Sequence, residues 1–335
     1  MAQPPDRARR RPPVYPPPEF PPRWLPAFAQ VPPAIFPVLL GLLGLAGALR
    51  LGLGRLDLPL AAADLVAGLV LGLWAFGLLA YLVKLGRRPG VILEDLRVMP
   101  GRTALAAGTG SVMMAAVVLS PFAPGAAQTL LWIGLALHAL LAGLAITVLA
   151  GLPREARGVN PGWHLLFTGF ILGAPPAALL GQEALARGLI WATLPVALAI
   201  WGASLAQLLR STPPAPLRPM LAIHLAPACL FATSSALTGQ AHLATGFSVL
   251  AIVISLALVS AGRWITLSGV TPLWGAFSFP LAALATALLR QGGGLASFGM
   301  GVLAVALVAV PWLAWKVLKD WPGGRLAAKT NAATA

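Results

Sequence analysis

Residues 126–150 read AAQTLLWIGLALHALLAGLAITVLA and contain no Asp, Glu, Lys or Arg. An α-helix rises about 1.5 Å per residue and the hydrocarbon core of a bilayer is about 30 Å thick, so about 20 apolar residues suffice to cross it. The whole chain is 58% hydrophobic and 10% charged, which leaves too little polar surface to cover a soluble globule of 335 residues. The stretch therefore predicts a membrane-spanning helix in a polytopic membrane protein.

Nine further runs of similar length and composition accompany this one. The ten predicted spans are residues 32–53, 60–84, 102–120, 126–150, 162–182, 187–209, 218–239, 243–262, 268–289 and 295–317. The runs lack the alternating pattern of barrel strands, so we predict an all-α polytopic membrane protein. The transmembrane domain then covers residues 31–318. A Pro- and Arg-rich tail at residues 1–30, whose composition is typical of disorder, precedes it, and a second tail at residues 319–335 follows.

The distribution of basic residues predicts the orientation of the spans. Nineteen of the 23 Lys and Arg residues fall on the side of the N-terminus, and the other four are Arg50, Arg55, Arg187 and Arg290. Because cytoplasmic loops are enriched in Lys and Arg, we expect both tails to be cytoplasmic and the protein to lie in the inner (plasma) membrane. The net charge of +14 is then mostly a consequence of topology, and we expect no nucleic acid among the partners.

The loops predict five helical hairpins, because short loops on the outer side alternate with longer cytoplasmic ones. Prolines lie inside or at the mouths of the first, fifth, seventh and ninth spans, among them Pro37, Pro176, Pro227 and Pro280. A proline inside a helix removes a backbone hydrogen bond and bends the helix, which is tolerated where the freed carbonyl meets protein or water. We therefore predict that odd-numbered spans line a central pathway and even-numbered spans face lipid. The alternative is that these residues only support close helix packing.

Motifs for catalysis or metal binding are absent from the sequence. The histidines His138, His164, His224 and His242 are scattered over different hairpins without an adjacent carboxylate. Cys229 is the only cysteine, so a disulfide within the chain or a thiolate cluster is excluded. We predict a protein that is not an enzyme, with no catalytic residue, metal or cofactor. His164 and His224 remain candidates for titratable or anion-contacting groups, or for simple packing residues.

The ninth span contains residues 271–280, TPLWGAFSFP. A bulky aromatic residue just before a helix-bending proline can project into the axis of a helix ring and close it by excluding water. Phe279 is such a candidate for a pore gate, with Ser278 and Pro280 beside it. The alternative is an aromatic side chain that faces lipid or packs against another helix.

Two stretches resemble the TehA-type tellurite-resistance and dicarboxylate transporter family, which includes the slow-type anion channels of plant guard cells. Residues 274–280, WGAFSFP, resemble the family's Trp-Ala-Phe/Tyr-Ser/Thr-Phe signature, and residues 217–227, LRPMLAIHLAP, resemble its Arg-Pro…Ala-Pro helix. Residues 160–163 and 33–37 give weaker support. The chain departs from the family pattern at Gly275, His224 and Pro280, which leaves the substrate open.

The resemblance implies ten helices in a pseudo-five-fold arrangement around a central pore, assembled as a homotrimer in contact with membrane lipids. It also implies conduction of small anions, gated by Phe279, with C4-dicarboxylate, sulfite or tellurite-linked transport as variants. The residues expected around such a pore are Pro37, Pro176, His164, His224, Pro227, Ser278 and Pro280. Two other functions stay open: a proton-coupled exporter of organic anions or toxic compounds, and a membrane enzyme or scaffold without transport.

Overall fold

Every regular element is helical in the computed structural model, which describes residues 25–335. The α-helices within that range are α1 (Phe36–Arg55), α2 (Ala61–Arg87), α3 (Val91–Arg97), α4 (Met99–Leu119), α5 (Pro124–Gly151), α6 (Ala174–Leu179), α7 (Glu183–Arg210), α8 (Leu225–Leu237), α9 (Ala241–Ser260), α10 (Gly262–Ile265), α11 (Ser278–Gln291), α12 (Gly293–Leu318) and α13 (Arg325–Thr330). The 3₁₀ turns are Pro33–Ile35, Arg154–Arg157, Gly169–Gly173, Ala215–His224 and Pro272–Phe277, and His164–Thr168 is a π turn. Apart from residues 25–30, the predicted disordered tail lies outside the described residues.

Nine helical segments between residues 25 and 335 are long and apolar enough to cross a membrane, and they coincide with nine of the ten predicted spans. The predicted span at residues 162–182 is different. It is a shorter apolar helix, His164–Leu179, that passes from a π turn through a 3₁₀ turn into α6. At about 1.5 Å per residue such a helix is shorter than the bilayer core is thick, so the count of ten spans stays a prediction.

The spans divide into two layers by burial. The inner helices are α1, α4, α6, α8 and α11 with the turns that precede them, and the outer helices are α2, α5, α7, α9 and α12. In the four inner segments that are long enough to cross a membrane, 61–83% of the most apolar stretch is buried, against 22–33% in the outer helices. The outer helices expose large apolar side chains such as Leu69, Leu140 and Val308. Such a surface is stable only against lipid or another apolar partner.

The inner helices contact one another in a closed order. Helix α1 contacts α4, α4 contacts α6 and its preceding turns, α6 contacts α8, α8 contacts α11, and α11 returns to α1. This order follows the odd-numbered spans along the chain. A ring of five inner segments therefore surrounds the axis of the bundle.

The two ends of the described chain meet at one end of this bundle, which we call the near end. The backbone N–H of Ala335 donates to the carbonyl of Ala29 at 3.0 Å, and Gly324 lies against the Gln30 side chain. At the same end, the buried Lys84 ammonium is 3.2 Å from the buried Asp95 carboxylate. The opposite end of the bundle is called the far end.

Candidate functional site

A cavity of about 60 Å³ lies in the middle of the ring, toward the far end, and is called the far cavity. All five inner segments contribute to its lining. The lining residues are Gly44, Gly47 and Leu51 of α1, Met114 and Val117 of α4, Pro175 and Leu179 of α6, Leu230, Thr233 and Leu237 of α8, and Phe279, Ala283, Thr286 and Arg290 of α11. On each helix these positions are three or four residues apart, which is the spacing of a single helix face. Each inner helix thus turns one stripe toward the same axial space.

A second cavity of about 40 Å³, the near cavity, is lined by the earlier parts of the same five segments. Its lining residues are Ala34, Pro37, Pro100, Thr103, Ala104, Leu165, Met220, Ile223, Pro272, Leu273 and Ala276, together with Thr330 of α13. No residue lines both cavities. The ring therefore encloses two separate spaces along its axis, with packed protein between them.

Phe279 lies between the two cavities. Along the ninth span the near cavity ends at Ala276, in the 3₁₀ turn before α11, and the far cavity begins at Phe279, whose side chain is only 4% exposed. Gly44 of α1 stands opposite: a Cβ placed there would lie 3.1 Å from the Phe279 ring. The missing side chain at Gly44 leaves the room that the ring occupies.

Ser278, the residue before Phe279, links α11 to α1 through a hydrogen bond of its hydroxyl. Its hydroxyl lies 2.7 Å from the Gly275 carbonyl and 3.0 Å from the Pro37 carbonyl, either of which can accept its proton. Close approach of the two helices at this level requires Gly41, because a Cβ there would collide with Ser278. Ser278 is fully buried and lies behind the lining, so its contacts position the neighbouring Phe279.

The predicted prolines lie where the inner segments change helix type. Pro37, Pro176, Pro227 and Pro280 each fall in the first turn of an α-helix that continues from a 3₁₀ turn. Proline is tolerated in the first turn of an α-helix because the backbone N–H groups of that turn have no carbonyl acceptor within the α-helix. Pro37 lines the near cavity, whereas Pro176 is buried and its neighbour Pro175 lines the far cavity.

The two candidate histidines lie together, each next in sequence to a residue of the near-cavity lining, Leu165 or Ile223. His164 Nε2 and His224 Nδ1 are 3.0 Å apart, and the indole of Trp201 on α7 donates to the His224 carbonyl at 3.2 Å. Both rings are buried and neither belongs to either lining. The pair therefore packs between inner and outer helices.

Arg290 is the site residue that sequence reasoning missed. The distribution of basic residues predicts only that Arg290 lies at the outer end of a span. In the structure it lines the far cavity, and its Nε is buried without a hydrogen-bond partner. The signal was present in the spacing. Phe279, Ala283, Thr286 and Arg290 follow one another at intervals of four, three and four residues, which places Arg290 on the face of α11 that carries Phe279.

The comparison with known families agrees with this architecture. The family model of the voltage-dependent anion channel, SLAC1, matches residues 30–318, which contain all ten predicted spans. No curated protein matches the chain. The family includes the TehA and plant SLAC1 anion channels, so the match confirms the resemblance drawn from residues 217–227 and 274–280. The chain belongs to the SLAC1 family of voltage-dependent anion channels.

Proposed function

We propose that the protein conducts small anions across the membrane through a pore along the axis of the five inner helices, arranged with pseudo-five-fold symmetry. The observation that carries this proposal is the pair of axial cavities, each lined by all five inner segments. A soluble or structural bundle would fill that axis with side chains. Here the axis carries two spaces that one constriction separates.

The charges of the lining favour anions. Neither lining contains an acidic side chain, and Arg290 adds a positive charge to the far cavity. The inner helices all run from the near to the far end, so the N-terminal ends of their α-helical parts, at Phe36, Ala174, Leu225 and Ser278, lie toward the near cavity. The positive ends of these helix dipoles therefore point toward the near end, where the preceding 3₁₀ turns begin, and favour an anion that enters from that side.

Phe279 is proposed as the gate. Its ring is buried at the boundary of the two cavities, and the aromatic surface excludes water and ions from the constriction. Replacement by alanine removes the ring without touching the hydrogen bonds of Ser278. The opening created would join the near and far cavities.

The proposed assembly follows from the family resemblance, and the proposed orientation follows from the distribution of basic residues. We propose a homotrimer with one pore per subunit in the inner (plasma) membrane, with both ends of the chain cytoplasmic. Under this orientation the near end is cytoplasmic. The exposed apolar side chains of the outer helices would then contact lipid or a neighbouring subunit.

Reconstitution in liposomes tests the proposal. Chloride and nitrate efflux are measured for wild type, Phe279→Ala and Phe247→Ala, normalised to inserted protein. Phe247 is the matched control, since it lies on outer helix α9 and stacks on Phe231 at 4.9 Å, away from both cavities. We expect Phe279→Ala alone to raise anion efflux. Equal efflux from all three folded proteins would contradict the gate, and the absence of anion efflux from all three would contradict the pore.

A further inference from the structure

The far cavity contains a positive charge without a counter-ion, on the partly buried side chain of Arg290. The guanidinium of Arg290 takes part in none of the ion pairs among residues 25–335, and its Nε has no hydrogen-bond partner. Removing a charged group from water is costly unless an opposite charge or hydrogen bonds replace the lost hydration. Water reaches the partly exposed side chain, and an anion that enters the cavity would supply the opposite charge that water lacks.

We propose that the far cavity is an anion-binding site in which Arg290 holds one small monovalent anion, such as chloride or nitrate. This inference rests on the pore function proposed above. The cavity of about 60 Å³ has room for a few water-sized species, since one water needs about 10–15 Å³. The hydroxyl-bearing Thr233 and Thr286 line the same space. A planar guanidinium binds an oxyanion through two parallel hydrogen bonds and a halide as a simple charge.

The site is placed to act on ions that pass Phe279. Arg290 and Phe279 lie on one face of α11, about 16 Å apart along the helix axis at about 1.5 Å per residue. An anion bound near Arg290 therefore lies on the far side of the constriction. The site raises the local anion concentration there and repels cations.

Variants of Arg290 in a Phe279→Ala background test this site separately from the pore. We expect Arg290→Gln to lower chloride efflux about tenfold and to weaken anion-over-cation selectivity, and Arg290→Lys to retain most of both. Arg187→Gln is the control, because Arg187 is exposed and already paired with Glu183. If Phe279→Ala conducts anions and Arg290→Gln leaves efflux and selectivity unchanged, the anion site is refuted. If Phe279→Ala conducts no anion, the pore itself fails.

A different observation concerns the near end, where residues 319–335 fold back over the ring. Thr330 of α13 lines the near cavity together with residues of all five inner segments. Leu326 of the same helix is fully buried, and α13 contacts the turns that begin the first and ninth spans. The segment thus lies across the near mouth of the axial path.

Specific contacts hold the segment there. The backbone N–H of Ala333 donates to Asp95 Oδ1 at 2.8 Å, while Asp95 Oδ2 accepts from Tyr81 at 3.1 Å and from Lys84 at 3.2 Å. Gly324 has φ +75°, in the left-handed region that favours glycine, and a side chain there would collide with Gln30. A tight turn and a buried carboxylate therefore direct the segment onto the mouth.

We infer that residues 319–335 form a cap that restricts ion access from the near end and must move aside for full conduction. The contacts of the cap with the ring are few, so we expect it to open locally while the ring stays folded. The cap then lowers the flux through an open gate and does not abolish it. This is a control of conduction independent of Phe279.

Two substitutions on α13 test whether residues 319–335 restrict conduction or have no effect on it. Leu326→Glu places a charge at a buried position and should release the segment, whereas Ala328→Glu places the same charge at an exposed position. In the Phe279→Ala background we expect Leu326→Glu to give faster trypsin cleavage after Arg325 and Lys329 and at least about threefold higher efflux. Cleavage without higher efflux refutes the cap. Equal cleavage of the two variants shows that Leu326 does not hold the segment and refutes it as well.

Discussion

Gly41 allows α11 to approach α1 closely enough to place Phe279 on the axis, and Gly41→Ala tests that packing. A Cβ at position 41 would lie 2.9 Å from the backbone carbonyl carbon of Ser278, and closer still to the Ser278 side chain. The obstacle includes backbone, so the two helices must separate. Overpacking of this kind lowers the free energy of unfolding by about 1–3 kcal/mol, and the higher helix propensity of alanine raises it by up to about 1 kcal/mol. With the backbone clash at the upper end of the range, we expect a net loss of about 1–2 kcal/mol.

Gly47→Ala provides the control on the same helix. The nearest atom to a Cβ at Gly47 is the Val117 Cγ1 at 3.9 Å, an ordinary van der Waals contact, so we expect this variant to be neutral or slightly more stable. Unfolding in mixed micelles, followed by tryptophan fluorescence against the fraction of denaturing detergent, compares the two. Equal stability of Gly41→Ala and Gly47→Ala would refute the reasoning, because it would mean that the Gly41 contact with Ser278 does not set the spacing of α1 and α11.

Two further predictions concern buried polar groups. His164→Gln should leave chloride efflux within about twofold of wild type and should not change its pH dependence between about pH 5 and 8. The reason is that neither His164 nor His224 lines a cavity. Loss of a proton-driven flux in this variant would favour the coupled exporter instead. Lys84→Met should lower the free energy of unfolding by about 3–5 kcal/mol, because it leaves the Asp95 carboxylate buried without its cation. Arg87→Met, at an exposed position, is the control in the same unfolding assay. An equally small loss of stability in both variants would contradict the prediction.

The sequence predicted the limits of nine spans to within a few residues because lipid imposes a strong requirement on them. A helix in hydrocarbon must be apolar over a fixed length, so hydropathy alone places the span at residues 187–209 within a few residues of the observed Glu183–Arg210. The fifth span is the exception. Gly169, Gly173 and the pair Pro175–Pro176 interrupt regular α-helix there, and the segment becomes a series of π, 3₁₀ and α turns.

Contacts between helices were harder to predict, because hydropathy does not say which face of an apolar helix meets which neighbour. His164 and His224 are 60 residues apart in sequence and their pairing has no sequence signal. The placement of residues 319–335 is similar. One of its anchors is the backbone N–H of Ala333, which any residue except proline would provide. Only the spacing from Phe279 to Arg290 could have been read in advance.

The proposed function requires the ring of five inner helices to enclose an anion-selective pore. The reversal potential of Phe279→Ala in a planar bilayer, under a tenfold gradient of potassium chloride, tests it most directly. Perfect selectivity for chloride places the reversal potential about 59 mV from zero, at the chloride equilibrium potential. We predict a value close to that limit. A reversal near the potassium equilibrium potential, or no current from folded and inserted protein, would contradict the account.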